Sequence, residues 1–174
     1  MTQNRPTPTL PQALPPTMYR TMPRTLPSIA TLGSAAVLAG AFAFQYIGGM
    51  APCALCLWQR WPHAAAVAIG LVFLATGRRG LLWFGALAAL ATAGIGAFHV
   101  GVEQGWWEGL ATCTAGSISG IGVADLLNPA ADVAAPVRCD EIPWSLFGIS
   151  MAGWNSIVSL GLAAVWTKAA LRRA

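Results

Sequence analysis

The chain has 174 residues, 56% of them hydrophobic and 9% charged, against a charged share of about 25% in ordinary soluble domains. That excludes a conventional soluble enzyme and leaves room for one compact membrane-embedded unit. The net charge of +4 is weak grounds for nucleic-acid binding, because the basic residues flank long apolar stretches rather than cluster on a polar face.

The N-terminal 27 residues hold Pro6, Pro8, Pro11, Pro15, Pro16, Pro23 and Pro27, seven of the chain's 12 prolines. Such a segment has little to bury and poor helix propensity, so residues 1–27 are expected to be a disordered tail. Four uncharged apolar stretches follow, with spans expected near 28–48, 57–77, 80–102 and 144–167. A bilayer-crossing helix needs about 20 apolar residues. The first stretch is too long for the apolar core of a cleaved signal peptide. Gly33, Ala36 and Gly40 in the first span, and Gly94, Gly96 and Ala97 in the third, are expected to let helices approach closely. The predicted fold is an all-α, four-transmembrane-helix bundle over residues 28–167, with a long loop at 103–143 and a basic tail at 168–174.

Charge orients this bundle. Arg5, Arg20, Arg24, Arg78, Arg79, Lys168, Arg172 and Arg173 all fall on one side, and all six acidic residues lie between Glu103 and Glu141 on the other. The positive-inside rule makes the basic side, with both termini, cytoplasmic. Trp58, Trp61, Trp106, Trp107 and Trp144 are expected at the outer interface, and Trp83 and Trp166 at the inner one, since indole combines an apolar ring with an N–H that needs a partner.

All four cysteines fall at or beyond the outer boundary, where disulfides persist. For Cys113 and Cys139 a purely structural staple is a serious reading, because closing their loop stabilises by about 3–4 kcal/mol in the chain-entropy treatment. For Cys53 and Cys56 it is a poor one, because a two-residue spacer closes almost no loop. A Cys-x-x-Cys pair suits thiol–disulfide exchange, in which one thiolate attacks and the other resolves. A helix beginning near Pro52 would place both sulfurs at its positive N-terminal end and would put Arg60 on the face of Cys56. Pro62 opposes that start, since a helix beginning only at Trp61 would hold it comfortably in the first turn. Arg60 lies where charge is expensive and commonly functional, whereas Arg138 reads as a solvated loop charge. His99, four residues before Glu103, is a candidate proton relay or an internally bonded histidine. His63 reads as structural or interfacial.

The stretch Pro52-Cys53-Ala54-Leu55-Cys56-Leu57-Trp58-Gln59-Arg60, with His99 to Cys113 and Cys139-Asp140-Glu141-Ile142-Pro143-Trp144-Ser145-Leu146-Phe147-Gly148, resembles the disulfide bond formation protein B (DsbB) family of Gram-negative bacteria over about residues 28–167. The resemblance implies an inner-membrane dithiol–quinone oxidoreductase whose long loop is periplasmic. It implies that a DsbA-like thioredoxin-fold thiol oxidase is its soluble partner and that a membrane quinone, ubiquinone or menaquinone, accepts the electrons. By position, Cys113 would form the mixed disulfide with the partner, Cys139 would pair with Cys113, and Cys53 would exchange with the loop cysteines. Cys56 would face the quinone beside Arg60, with His99 near the same cavity. Gln59 stands where the family often has glutamate, the loop between Cys113 and Cys139 is this chain's own, and the Trp106-Trp107-Glu108 stretch departs from the best-known members.

Three other readings compete. A vitamin K epoxide reductase-like enzyme has its loop cysteines before the Cys-x-x-Cys; here they follow it. A non-catalytic protein would carry two inert disulfides that resist mild dithiols. A zinc site built from the cysteines suits the spacing but not an oxidising face with Arg60 nearby, and no metal is expected.

Overall fold

A computed structural model of the chain describes residues 24–114 and 137–172. Among these residues four long helices form an up-and-down bundle. They are α1 (Thr25–Tyr46), α2 (Ala54–Thr76), α3 (Gly80–Glu103) and α5 (Met151–Leu171). A single turn, α4 (Ala111–Thr114), and a two-stranded antiparallel hairpin, β1 (Ser145–Leu146) with β2 (Ile149–Ser150), lie between α3 and α5. The most extensive packing is of α3 against α5 and then of α2 against α3.

The helix ends follow from local chemistry. α1 starts at Thr25 with Pro27 inside its first turn, where a proline N–H would have no partner anyway. The helix thus begins three residues before the expected 28, and the rest of the proline-rich tail lies outside the described residues. α2 is capped by Cys53, whose sulfur accepts from the Cys56 N–H at 3.2 Å. It ends at Gly77 with φ +68°, a left-handed conformation that glycine adopts without penalty. The early helix start therefore holds, and Pro62 sits inside α2 without ending it. α5 starts at Met151, not 144. Ser150 caps it by accepting from Gly153 N–H, and the preceding residues turn back through Phe147 and Gly148 at positive φ. At its other end α5 carries Lys168 in its last turn and runs on to Leu171.

The bundle exposes large apolar side chains and buries polar ones alongside its apolar core. Leu32, Leu71, Trp83, Phe84, Leu87 and Leu160 are exposed, while Thr31, Ser34, Gln59, His63, Thr92, His99 and Ser159 are buried. That inversion suits a lipid surround, where polar groups must be satisfied within the protein. α1 and α3 are both long and apolar enough to cross a membrane. α2 and α5 match that length but carry Gln59, Arg60, His63, Asn155 and Ser159, which lower their apolarity and turn towards partners inside.

At one end of the bundle Arg79 donates to the carbonyls of Ala170 and Arg172, close to an apolar core of Ala30, Phe73, Leu82, Ala86, Leu162 and Trp166. The other end holds a second cluster containing Cys53, Leu55, Val102, Cys113 and Cys139.

Two packing expectations need correction. Trp166 is not an interfacial residue: it is fully buried against α3, because Gly85 leaves room for its ring. Gly40 and Gly94 face open space and mediate no close approach, whereas Gly33 and Gly96 do meet α5. Periodicity alone does not say which small residue faces a neighbour.

Candidate functional site

The cysteine end is assembled from three segments. The N-terminus of α2 supplies Cys53 and Cys56, whose sulfurs lie 2.7 Å apart. α4 and the segment after residue 136 supply Cys113 and Cys139, which are joined as a disulfide with Cα atoms 5.1 Å apart. The Cys139 N–H donates to the Cys113 carbonyl at 3.3 Å. The C-terminal end of α3 inserts His99 between the pairs. Its Nε2 is 3.7 Å from the Cys53 sulfur and 3.1 Å from the Cys139 carbonyl oxygen. The four cysteines and His99, all singled out in the sequence, are therefore in one place.

Cys113, which the resemblance implies meets the soluble partner, is covered. It is 2% exposed and Cys139 is 0% exposed, both packed with Val102 of α3. Two apolar sulfurs joined in a disulfide have no need of water and cover the apolar end of the bundle.

Arg60 lies on α2 one turn beyond Cys56. It donates to the Gln45 side-chain oxygen at 2.5 Å and to the Ala41 carbonyl at 3.3 Å, both on α1. Its guanidinium carbon stands 4.9 Å from the centre of the Phe42 ring, within cation–π range. Cys53, Cys56, Arg60, His63 and His99 line a single cavity of about 320 Å³. Its other walls are largely apolar and include Val37, Leu38, Phe44, Trp144 and Met151. Arg138 and Glu141 also line it. Arg138 pairs with Asp140 and, at 3.7 Å, with Glu141 and stays exposed, in keeping with a solvated loop charge. The Arg138 guanidinium holds the Asp140 carboxyl below the usual carboxylate range by hydrogen bonding and charge.

Several site residues escaped the sequence reading. Gln45 is one, because an exposed-looking glutamine at a helix end carries no motif. Asn155 is another, and Gln59 reads from sequence only as a position where the family often has glutamate. Gln59 is buried and bonds His99 Nδ1 at 3.0 Å, and Asn155 bonds Gln59 Oε1 at 2.6 Å and His63 Nε2 at 2.8 Å. An isolated amide inside an apolar stretch was the available signal, since such a group must find partners when buried.

Cys53, Cys56 and His99 place their ligand atoms within 4.8 Å of one another, compact enough for a metal ion. His99 Nε2, however, faces a backbone carbonyl that only accepts, so this nitrogen carries a proton and offers no lone pair there.

An apolar-surfaced helical bundle that brings two cysteine pairs together around one histidine, beside an apolar cavity, defines a membrane thiol–disulfide oxidoreductase. The chain belongs to the disulfide bond formation protein DsbB family, which it matches over residues 23–169. It is 34% identical over 157 residues to Disulfide bond formation protein B of Methylococcus capsulatus (strain ATCC 33009 / NCIMB 11132 / Bath), covering 80% of this chain and 93% of that one. It is 30% identical over 162 residues to the protein of the same name from Hahella chejuensis (strain KCTC 2396), covering 86% and 94%. No solved structure matches the chain significantly.

Proposed function

We propose that the protein reoxidises a periplasmic DsbA-like thiol oxidase and passes the electrons to a membrane quinone. The observation that carries this reading is that Cys56 and Arg60 share the apolar cavity while Cys53 reaches the loop cysteines through His99. In this reading all four long helices cross the bacterial inner membrane within residues 28–167, both termini are cytoplasmic, and the 103–143 loop is periplasmic.

The partner's reduced dithiol attacks the Cys113–Cys139 disulfide at Cys113. The mixed disulfide is resolved by the partner's second thiol, leaving the partner oxidised and Cys113 and Cys139 reduced. Because Cys113 is buried, its loop must lift from Val102 before attack. A Cys139 thiolate then attacks the Cys53–Cys56 disulfide at Cys53 and expels Cys56 as a thiolate. Cys113 next attacks Cys139, restores the loop disulfide and releases Cys53. Each exchange forms one S–S bond as another breaks.

The cavity residues fit a quinone head group: the walls are apolar, and Arg60 supplies donors to a ring oxygen. Bound there, a quinone supplies the sink for two electrons and two protons. Arg60 holds the anionic sulfur of Cys56 at the cavity edge, and Gln45 and Phe42 hold Arg60. The Cys53–Cys56 dithiol is returned to a disulfide as its electrons leave through Cys56.

The test is quinone reduction by the purified protein fed a reduced thioredoxin-fold dithiol protein, with Cys56→Ser and Cys113→Ser alongside. Turnover is expected in the unaltered chain and in neither variant. Full turnover in Cys56→Ser would remove the quinone-side assignment, and absence of turnover with every quinone would favour inert disulfides.

A further inference from the structure

His99 is joined to a buried polar chain whose hydrogen-bond directions are set by the backbone. Three main-chain carbonyls, which only accept, supply the polarity. The Thr92 hydroxyl donates to the Gln59 carbonyl at 3.1 Å. Its oxygen therefore accepts from Asn155, 3.2 Å away, which makes the Asn155 atom facing Thr92 the amide nitrogen. That nitrogen also donates to Gln59 at 2.6 Å, so the Gln59 atom there is the oxygen. Independently, the other end of the Gln59 amide lies 3.3 Å from the Leu55 carbonyl and must be the nitrogen. The two assignments agree.

The Gln59 nitrogen is also 3.0 Å from His99 Nδ1, so Nδ1 accepts and carries no proton. The third carbonyl closes the argument from the other side. His99 Nε2 lies 3.1 Å from the Cys139 carbonyl and must donate. Cys53 Sγ at 3.7 Å and Glu103 Oε1 at 3.9 Å surround the same N–H.

We propose that Gln59 and Asn155 are positioning residues that hold His99 as a neutral imidazole whose Nε2–H is shared between the Cys139 carbonyl and the Cys53 sulfur. The inference rests on the exchange reaction proposed above. When Cys113 attacks Cys139 in a Cys53–Cys139 bridge, the new S–S bond forms, the old one breaks, and the electron pair stays on Cys53. That thiolate meets the Nε2–H of His99 on one side and the Cys56 N–H, 3.2 Å away, on the other. The Cys56 sulfur, 2.7 Å from Cys53, is a further group the released thiolate meets, and the neutral ring does not hold the thiolate so tightly that it cannot attack again. The titratable groups facing His99 are Cys53 and Cys56 from α2 and Glu103 from its own helix. β2 presents the neutral Ser150, bonded to Glu103, and α5 presents Asn155; the loop presents the Cys139 carbonyl, with Arg60, Arg138 and Glu141 on the same cavity.

The test needs neither quinone nor partner protein. The chain has two histidines, so ¹⁵N spectra of histidine-labelled protein in detergent, with His63→Gln for assignment, read the His99 tautomer directly. A bare Nδ1 and a protonated Nε2 are expected at neutral pH; a proton on Nδ1 with a bare Nε2 overturns the proposal. The second readout is the pH dependence of alkylation of reduced Cys53. Gln59→Glu presents an acceptor to Nδ1, turns the ring into imidazolium, and should move the alkylation midpoint down by about one pH unit or more. Gln59→Leu removes the donor, frees the ring to turn from Cys53, and should move the midpoint up. Displacements of opposite sign identify positioning, since a packing defect shifts both variants alike; equal or absent displacements overturn it. Failure of quinone turnover in the unaltered chain would sink the proposed function and leave these readouts intact.

Discussion

Arg60 on α2 donates a hydrogen bond to the side-chain oxygen of Gln45 on α1 at 2.5 Å. The contact ties a cation of the Cys-x-x-Cys cavity to a neighbouring helix and aims it along the cavity wall. Replacing Gln45 by Leu removes a charge-assisted bond of the kind that contributes about 1.5–3 kcal/mol. We expect KM for quinone to rise about tenfold, matching the lower end of that range, with little change in the rate of exchange with the dithiol protein. Steady-state kinetics with each substrate varied in turn separates the two. An equal loss on both sides would mean that Gln45 supports the bundle rather than Arg60.

Gly85 and Gly94 lie on the same helix and face different surroundings. A Cβ at Gly85 would stand 2.7 Å from the Trp166 ring, while one at Gly94 meets nothing within 4 Å. Gly85→Ala should therefore destabilise by about 1–3 kcal/mol through overpacking, and Gly94→Ala should leave stability unchanged or slightly raised, as helix propensity favours alanine. Thermal unfolding in detergent compares them. Equal melting temperatures would contradict the placement of Trp166.

Arg138 and Asp140 form an exposed ion pair, and exposed pairs contribute little. The Asp140 carboxyl is held below its ordinary range in the folded protein by Arg138. Its contribution is therefore present above the unfolded carboxylate pKa and is lost as pH falls through the lower folded value. Asp140→Asn should leave the melting temperature at pH 7 and at pH 6 unchanged. A pronounced drop at either pH would show that the pair anchors the Cys139 segment.

Three ligand atoms cluster at Cys53, Cys56 and His99, yet the His99 nitrogen nearest the sulfurs is a donor to Cys139. Chelator treatment should therefore leave thiol exchange unchanged, and metal analysis of protein purified without reductant should find less than one equivalent of zinc. Stoichiometric zinc, with exchange altered on its removal, would replace the redox reading by a metal site.

Much of this protein was legible in its amino-acid order. Long uncharged stretches report how a chain partitions between lipid and water, a property of composition and position that needs no coordinates. The spacing of Cys53 and Cys56, with Arg60 one turn later, is likewise local and survives as helix geometry. What tertiary structure alone decided depends on groups far apart in the chain. Gln59 and Asn155 read as isolated amides until α2, α3 and α5 pack and close one network around His99. Trp166 reads as a belt residue until Gly85 admits it to the interior. Cys113 reads as the partner-facing member of a cysteine pair until Val102 covers it. Hydropathy and spacing register each residue's own preference for water or lipid, whereas a buried polar group is settled by the partners that reach it, and those are chosen only when the helices meet.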